Sequence, residues 1–258
     1  MESVLGQNPI KSELDVLRDR GYVVVPRFLD GADLYALRKG ARSQLAAGTG
    51  SLELEADLRY PGAPHSRADV GGGTIRRLLD AYGRDPLFAR CATAPRVRSW
   101  LEAYFGEDIV MSRAHHNCLM TKHPRYGSQT NWHRDVRYWR FEREDLVSLW
   151  FALGDENENN GALRFVPGSH RKALEEDQFD KSKFLRLDRA DNRDLIRTAV
   201  SPRLRPGDAI FFHCGTLHSA GQNHSDEVKY SLVYTYHGRS NAPIGGTRSA
   251  SVPEVLLE

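Results

Sequence analysis

His133 and Asp135 stand two apart in the stretch TNWHRDVRYW (130–139), ringed by Trp132, Arg134, Arg137, Tyr138 and Trp139. An imidazole and a carboxylate at that spacing can share one metal ion, because positions i and i+2 of a strand point the same way. The same pair is also the ordinary surface of a strand, and His-x-Asp alone does not separate the two readings. Downstream, RPGDAIFFHCGTLHSAGQN (205–223) offers His213 and His218 as a third ligand. Pro206-Gly207-Asp208 reads as a turn that launches a strand, with Ala209, Phe211 and His213 on one face and Ile210 and Phe212 on the other. His213, like His115, His116 and His123, reads as a packed or hydrogen-bonded histidine. His218 follows a Gly-Thr turn at the head of the next strand, where a side chain can project into a barrel mouth. His133, Asp135 and His218 would together form a two-histidine, one-carboxylate face. That ligand set suits a non-haem Fe(II) site, with open positions on one side for a bidentate co-substrate and dioxygen.

The elements that must position these residues fall into two textures. The first part, 1–107, reads as mainly helical. Ser12-Glu13-Leu14-Asp15 looks like a capped helix start, with Gly21 as its stop. YVVVP (22–26) is a short strand closed by proline, and 31–48 returns to helical spacing. IRRLLDAYG and APRVRSWLEAYFG, within 75–106, read as further helices ending at glycines. From 108 to 240 short runs rich in β-branched and aromatic residues alternate with Pro-Gly, Asn-Gly and Gly-Asp turns. This pattern predicts a double-stranded β-helix, a cupin-like jelly roll, under a helical cover. The charged stretch 171–200 reads as a helix or loop on the rim, and 241–258 as a C-terminal tail. No repeat or linker divides the chain, so one catalytic domain is expected over 1–258.

A formal charge of +2, with arginines interleaved among Asp and Glu, predicts no field for nucleic acid or membrane. No apolar run is long enough to span a bilayer. Three scattered cysteines without a Cys-x-x-Cys pair argue against a disulfide framework. The first seventeen residues carry early acids and no apolar core, unlike a secretory leader, so a cytoplasmic protein is expected. Nothing in the sequence sets the oligomeric state.

NWHRD, NGALRFVPGSH (160–170) and PGDAIFFHCGTLHSAGQNHS (206–225) occur in that order. Together they resemble the phytanoyl-CoA dioxygenase family of Fe(II)- and 2-oxoglutarate-dependent oxygenases, with a pattern like that of ectoine hydroxylases. The resemblance covers roughly 108–236 and is weaker in the helical part. It implies that His133, Asp135 and His218 hold iron, that 2-oxoglutarate and O2 are co-substrates, and that a small molecule is hydroxylated with release of succinate and CO2. His170, in the same run, is implied to pack or hydrogen-bond instead.

The resemblance also implies a basic residue eleven positions after His218 for the far carboxylate of 2-oxoglutarate. That position is Lys229, where arginine is usual, so a point charge replaces a planar fork. Lys122 stands where ectoine hydroxylases bind the co-substrate through lysine, and Cys118 and Trp150 fall at pocket-lining positions. Ala220 replaces a hydroxyl residue that helps hold 2-oxoglutarate, with Thr121, Ser231 and Tyr234 as candidates to compensate. Arg137, Asn117 and Trp139 are candidate substrate-binding residues. Arg137 could read a carboxylate or phosphate, or pair with Glu142 or Glu144 at a strand edge. The departures at Ala220 and Lys229 keep a second reading open: a metal-binding, cupin-like isomerase or small-molecule-binding jelly roll that does not use 2-oxoglutarate. A degenerate regulatory protein is a third reading, and the intact ligand set argues against it. The substrate is expected to be a small metabolite or natural-product intermediate.

Overall fold

A computed structural model describes residues 9–258, apart from 59. The start of the stretch that argues against a leader therefore lies outside the described residues. Helix α1 (Pro9–Arg20) begins before Ser12, where the sequence suggested a start. Gly21 follows at φ 78°, and strand β1 (Tyr22–Val25) leaves it. Helix α2 (Gly31–Ala47) falls where the helical spacing placed it, and it is capped at both ends. The Asp30 side chain accepts from the Asp33 N–H, and Gly48 turns left-handed at φ 56°.

Strand β2 (Leu52–Leu54) and the single turn α3 (Glu55–Leu58) precede strand β3 (Ile75–Leu79). This is a correction: IRRLL is a strand, and only Ala81–Arg84 (α4) of IRRLLDAYG is helical. Its backbone pairs with β2 on one edge and with the next long strand on the other, and that pairing outweighs the helical spacing. Helices α5 (Pro86–Ala92) and α6 (Pro95–Phe105) follow, the latter ending at Gly106 as expected.

The remaining strands are β4 (Ile109–Lys122), β5 (Thr130–His133), β6 (Val147–Ala152), β7 (Leu163–Phe165), β8 (Ala209–His213), β9 (His218–Ala220), β10 (Lys229–Gly238) and β11 (Val255–Leu256). A larger antiparallel sheet runs β1-β8-β6-β10-β4-β3-β2, with β11 added to β4, and a smaller one runs β5-β9-β7. The jelly-roll expectation holds. Alternation sorts the side chains of the larger sheet. Leu119, Leu149, Phe151, Phe211, Leu232 and Tyr234 face the helices and meet Leu17, Leu37, Phe88 and Trp100. Cys118, Trp150, Ile210, Phe212 and Val233 face the smaller sheet and meet Leu163 and Phe165. The helices thus cover one face, and the other face encloses the space between the sheets.

Residues 171–200 form short turns and one helix, α7 (Ala190–Ile196), on the rim. Their charges pair locally, with Arg186–Asp188 at 2.6 Å and Arg189–Asp177 at 2.8 Å, as a solvated face does. Among the described residues no helix is long and apolar enough to cross a membrane.

Phe211 is fully buried and stacks on Trp100 with ring centroids 3.7 Å apart. Phe211→Ala should lower the unfolding free energy by about 3–5 kcal/mol in a urea titration. Metal binding by the folded variant should be unchanged, because Phe211 faces the helices and not the inter-sheet space.

Candidate metal centre and adjoining cavity

His133 is the last residue of β5, and Asp135 opens a 3-10 turn, Asp135–Tyr138. The pair therefore straddles a strand end, where the spacing alone placed it along one strand face. The backbone N–H groups of Asp135 and Val136 donate to the Cys214 carbonyl at 3.0 and 3.3 Å. These bonds draw the turn against the β8–β9 connection and carry the Asp135 carboxylate toward both histidines. His218 sits at the head of β9, as expected, directly opposite His133 in the strand pairing. The two rings lie 4.2 Å apart.

Each imidazole is oriented by a carbonyl. His133 Nδ1 lies 2.8 Å from the Asn131 carbonyl and His218 Nδ1 lies 3.0 Å from the Thr216 carbonyl. A carbonyl can only accept, so each ring carries its proton on Nδ1 and turns the Nε2 lone pair inward. Asp135 Oδ1 faces them, 3.7 Å from His133 Nε2 and 3.6 Å from His218 Nε2. Ligand atoms of the three residues lie within 4.8 Å of one another, and all three residues are buried. Burial, reinforced by His218 and Arg137, holds His133 well below the usual imidazole range, so it is neutral. Asp135 Oδ2 is also buried and has no hydrogen-bond partner among the described residues, with His116 Nδ1 3.6 Å away. The Nε2 atoms of the two histidines and a carboxylate oxygen of Asp135 thus converge on one point. A divalent cation satisfies that arrangement, and both donor types suit iron.

A cavity opens beside the two histidines. Its walls include Arg77, His116, Met120, Lys122, Trp150, Phe212, Ala220 and Lys229. Lys122 is buried, and its Nζ donates to the carbonyls of Ser128 and Gly221 at 3.0 and 2.6 Å. Burial, then repulsion from Arg76 and Lys229, hold it well below the usual lysine range. Gly161 makes room for it: at φ 71°, a Cβ there would lie 2.6 Å from Lys122 Cδ. Lys229 is buried too, and it donates to Glu156 Oε2 at 2.9 Å. Trp150 lines the cavity and donates to Glu156 Oε1, while Cys118 lies behind the wall with its sulfur 3.5 Å from that of Met120.

The hydroxyls proposed to compensate for Ala220 are engaged elsewhere. Thr121 donates to the Ile75 carbonyl, Ser231 to Glu156 and Tyr234 to the Phe88 carbonyl.

The substrate candidates are dispersed. Asn117 alternates with Cys118 and so faces away from the cavity, its amide joining the Tyr82 N–H and Asp80. Trp139 is buried against His115 and edge-on to His116 at 5.4 Å. Arg137 lies in the 3-10 turn, so strand alternation does not place it. Its guanidinium stacks on Phe184 at 4.3 Å and Tyr138 at 4.9 Å, and it forms no ion pair among the described residues. Phe184, from the rim segment, also packs edge-on to His133 at 5.8 Å. His213 points to the far side, 3.7 Å from Asp145, and His170 bonds the Arg18 carbonyl.

Sequence reasoning missed Arg76, Arg77 and Glu156. The arginines were hidden by the helical reading of IRRLL, and Glu156 by its place in the polar turn GDENENN. Arg76 is fully buried, donating to Glu55 at 3.1 Å, Ser128 at 2.7 Å and Thr130 at 2.7 Å. Arg77 faces Glu53 at 3.4 Å.

A family profile described as phytanoyl-CoA dioxygenase matches residues 17–231. An ectoine dioxygenase of Stutzerimonas stutzeri is 28% identical over 93% of this chain and 81% of its own. The human peroxisomal phytanoyl-CoA dioxygenase is 29% identical over 83% of this chain and 64% of its own. Among solved structures, EctD from S. alaskensis with 2-oxoglutarate and 5-hydroxyectoine superposes with a TM-score of 0.76 at 20% identity, covering 95% of this chain and 81% of that one. The epimerase SnoN, in complex with Fe3+, alpha ketoglutarate and nogalamycin RO, gives 0.73 at 23% identity, over 95% and 93%. These structural likenesses speak to the fold.

Asp135→Asn removes a buried charge that has no hydrogen-bonded partner on Oδ2. The metal-free variant should be as stable as the parent protein, or more stable by about 1 kcal/mol. Added Fe(II) or Mn(II) should raise the melting temperature of the parent and not of the variant. A metal-induced shift preserved in the variant would remove Asp135 from the site.

Proposed function

The chain belongs to the phytanoyl-CoA dioxygenase family of iron- and 2-oxoglutarate-dependent oxygenases, and on that premise we propose that it oxidises an unactivated C–H bond of a small metabolite. The observation that carries this reading is the convergence of His133 Nε2, His218 Nε2 and Asp135 Oδ1 beside a cavity lined by lysines. These three residues would hold the iron. When bound, iron and 2-oxoglutarate supply the oxidant: the 2-oxo acid loses CO2 to give succinate, and one oxygen atom of O2 goes to succinate and the other to the substrate.

The protein's own residues orient and shield. Lys122 is the primary anchor we assign to the distal carboxylate of 2-oxoglutarate, because its ammonium meets only carbonyls and no acid. Lys229 is the second cation of the same wall, already paired with Glu156. Trp150, Met120 and Phe212 exclude water between the lysines and the histidines. At the rim, Arg137 is held by Phe184 and Tyr138 with donors still available, which supports reading an anionic group of the substrate. Trp139 then backs His116 and does not itself meet the substrate.

Protein loaded with Fe(II) should release succinate from 2-oxoglutarate in proportion to a substrate found in a metabolite screen. His133→Ala should abolish both metal binding and turnover. Failure to bind 2-oxoglutarate in metal-loaded protein would leave the alternative, a metal-binding jelly roll without that co-substrate. Arg137→Ala should raise KM for the substrate by about tenfold or more and change the KM for 2-oxoglutarate little.

The sign of the pH effect follows from Lys122. Burial and the neighbouring cations lower its folded-state pKa, whereas the dianion binds the charged form. Affinity for 2-oxoglutarate should therefore fall as pH rises through that lowered pKa, at a lower pH than an exposed lysine would require, and binding should take up a proton where Lys122 is partly deprotonated. Calorimetry in buffers of different ionisation enthalpy measures that proton, and Lys122→Met should abolish its uptake.

A further inference from the structure

Glu156 is fully buried, and each of its oxygens has partners. Oε1 accepts from Trp150 Nε1 at 2.9 Å and from Ser231 Oγ at 2.6 Å, and Oε2 accepts from Lys229 at 2.9 Å. Lys229 in turn has Ser231 Oγ at 3.4 Å and the Trp150 ring at 5.1 Å. The pair has a fixed geometry. Both carriers of its hydrogen bonds, Trp150 and Ser231, belong to the same sheet face as Lys229, and Glu156 is tied by backbone bonds to Leu204 at 2.9 and 3.0 Å. Around the cavity the other cations are also matched: Arg76 with Glu55 and Arg77 with Glu53. Lys122 is the cavity-lining cation without an acidic partner among the described residues.

We propose that Glu156 is a built-in counter-ion for Lys229 that weakens, and so sets, the affinity of this cavity for the distal carboxylate of its co-substrate. The inference rests on reading the cavity as the 2-oxoglutarate subsite. A carboxylate entering there meets an ammonium already neutralised, with a second carboxylate one ammonium away. Like charges at that separation disfavour each other strongly in a buried setting, since neither is screened by water. Glu156 touches neither substrate nor metal ligands. It is a specificity-determining residue acting through Lys229. Its charge penalises a distal carboxylate and is indifferent to a methyl group at the same place, so it controls the preference between dicarboxylate and monocarboxylate 2-oxo acids.

Manganese(II)-loaded protein, titrated calorimetrically with 2-oxopentanedioate (2-oxoglutarate) and with 2-oxopentanoate, tests this. The two differ only in the distal carboxylate. Glu156→Gln should bind 2-oxoglutarate about tenfold more tightly than the parent and leave 2-oxopentanoate unchanged, while its ligand-free melting temperature falls. Equal or weaker 2-oxoglutarate binding by Glu156→Gln overturns the proposal. Should that variant fail to fold, Glu156→Gln/Lys229→Met replaces the ion pair with a neutral one, a change that buried pairs tolerate. The double variant should bind 2-oxoglutarate within about threefold of the parent, since a neutralised lysine contributes little. A loss of about a hundredfold would show that Lys229 carries the binding and would overturn the proposal. If the parent itself binds manganese and not 2-oxoglutarate, the functional reading fails and this inference with it. A parent that binds, with no gain in the variant, sinks the inference alone.

Discussion

Two imidazole nitrogens and a carboxylate oxygen are held within 4.8 Å of one another, and burial keeps His133 neutral and removes the water that would solvate the carboxylate. The rest of the architecture can be understood as the means of holding them there. Carbonyls of Asn131 and Thr216 set the tautomer of each histidine. The Cys214 carbonyl clamps the turn that carries Asp135. Strand pairing of β5 with β9 sets the distance between the two rings. None of these contacts would be needed for packing alone. An apolar trio at the same positions would stabilise the fold at least as well.

The larger sheet divides labour by alternation. Residues facing the helices are apolar and tightly packed, and they give the sheet rigidity. Residues facing the smaller sheet grade from apolar Val233 and Ile210, through Trp150 and Phe212, to Lys122 and Lys229 at the strand ends. Two of the cavity's cations, Lys122 and Lys229, therefore stand side by side in the β4–β10 pairing, while His133 and His218 line the same cavity from the smaller sheet. A ligand that chelates metal at one end and carries an anion at the other matches this polarity, and its length is limited by the walls between.

The rim segment reaches both the candidate metal ligands and Arg137. Its charged residues pair with one another in solvent, and Phe184 touches both the His133 ring and the Arg137 guanidinium. Arg137 lies on aromatic faces and gives one donor to the Ser182 carbonyl at 3.5 Å, in place of the pairing with Glu142 or Glu144 that a strand edge would have allowed.

The sequence by itself picked out the candidate ligand set, the jelly roll and the helical cover. These rest on three motifs in order along the chain, the Pro-Gly and Asn-Gly turns, runs of β-branched residues, and the glycine stop at Gly106. It also read His213 as a packed or hydrogen-bonded histidine, which agrees with its place 3.7 Å from Asp145. Tertiary structure alone decided the rest. Strand β3 formed because two neighbouring strands pair with it, which no propensity of IRRLL reveals. Asp135 reached the histidines through a turn held by a carbonyl 79 positions downstream, at Cys214. The partnership of Lys229 with Glu156, 73 residues apart, settled which lysine is left without an acidic partner among the described residues. Electrostatic pairing depends on distance in space, and sequence spacing carries no record of it once the chain has crossed between sheets.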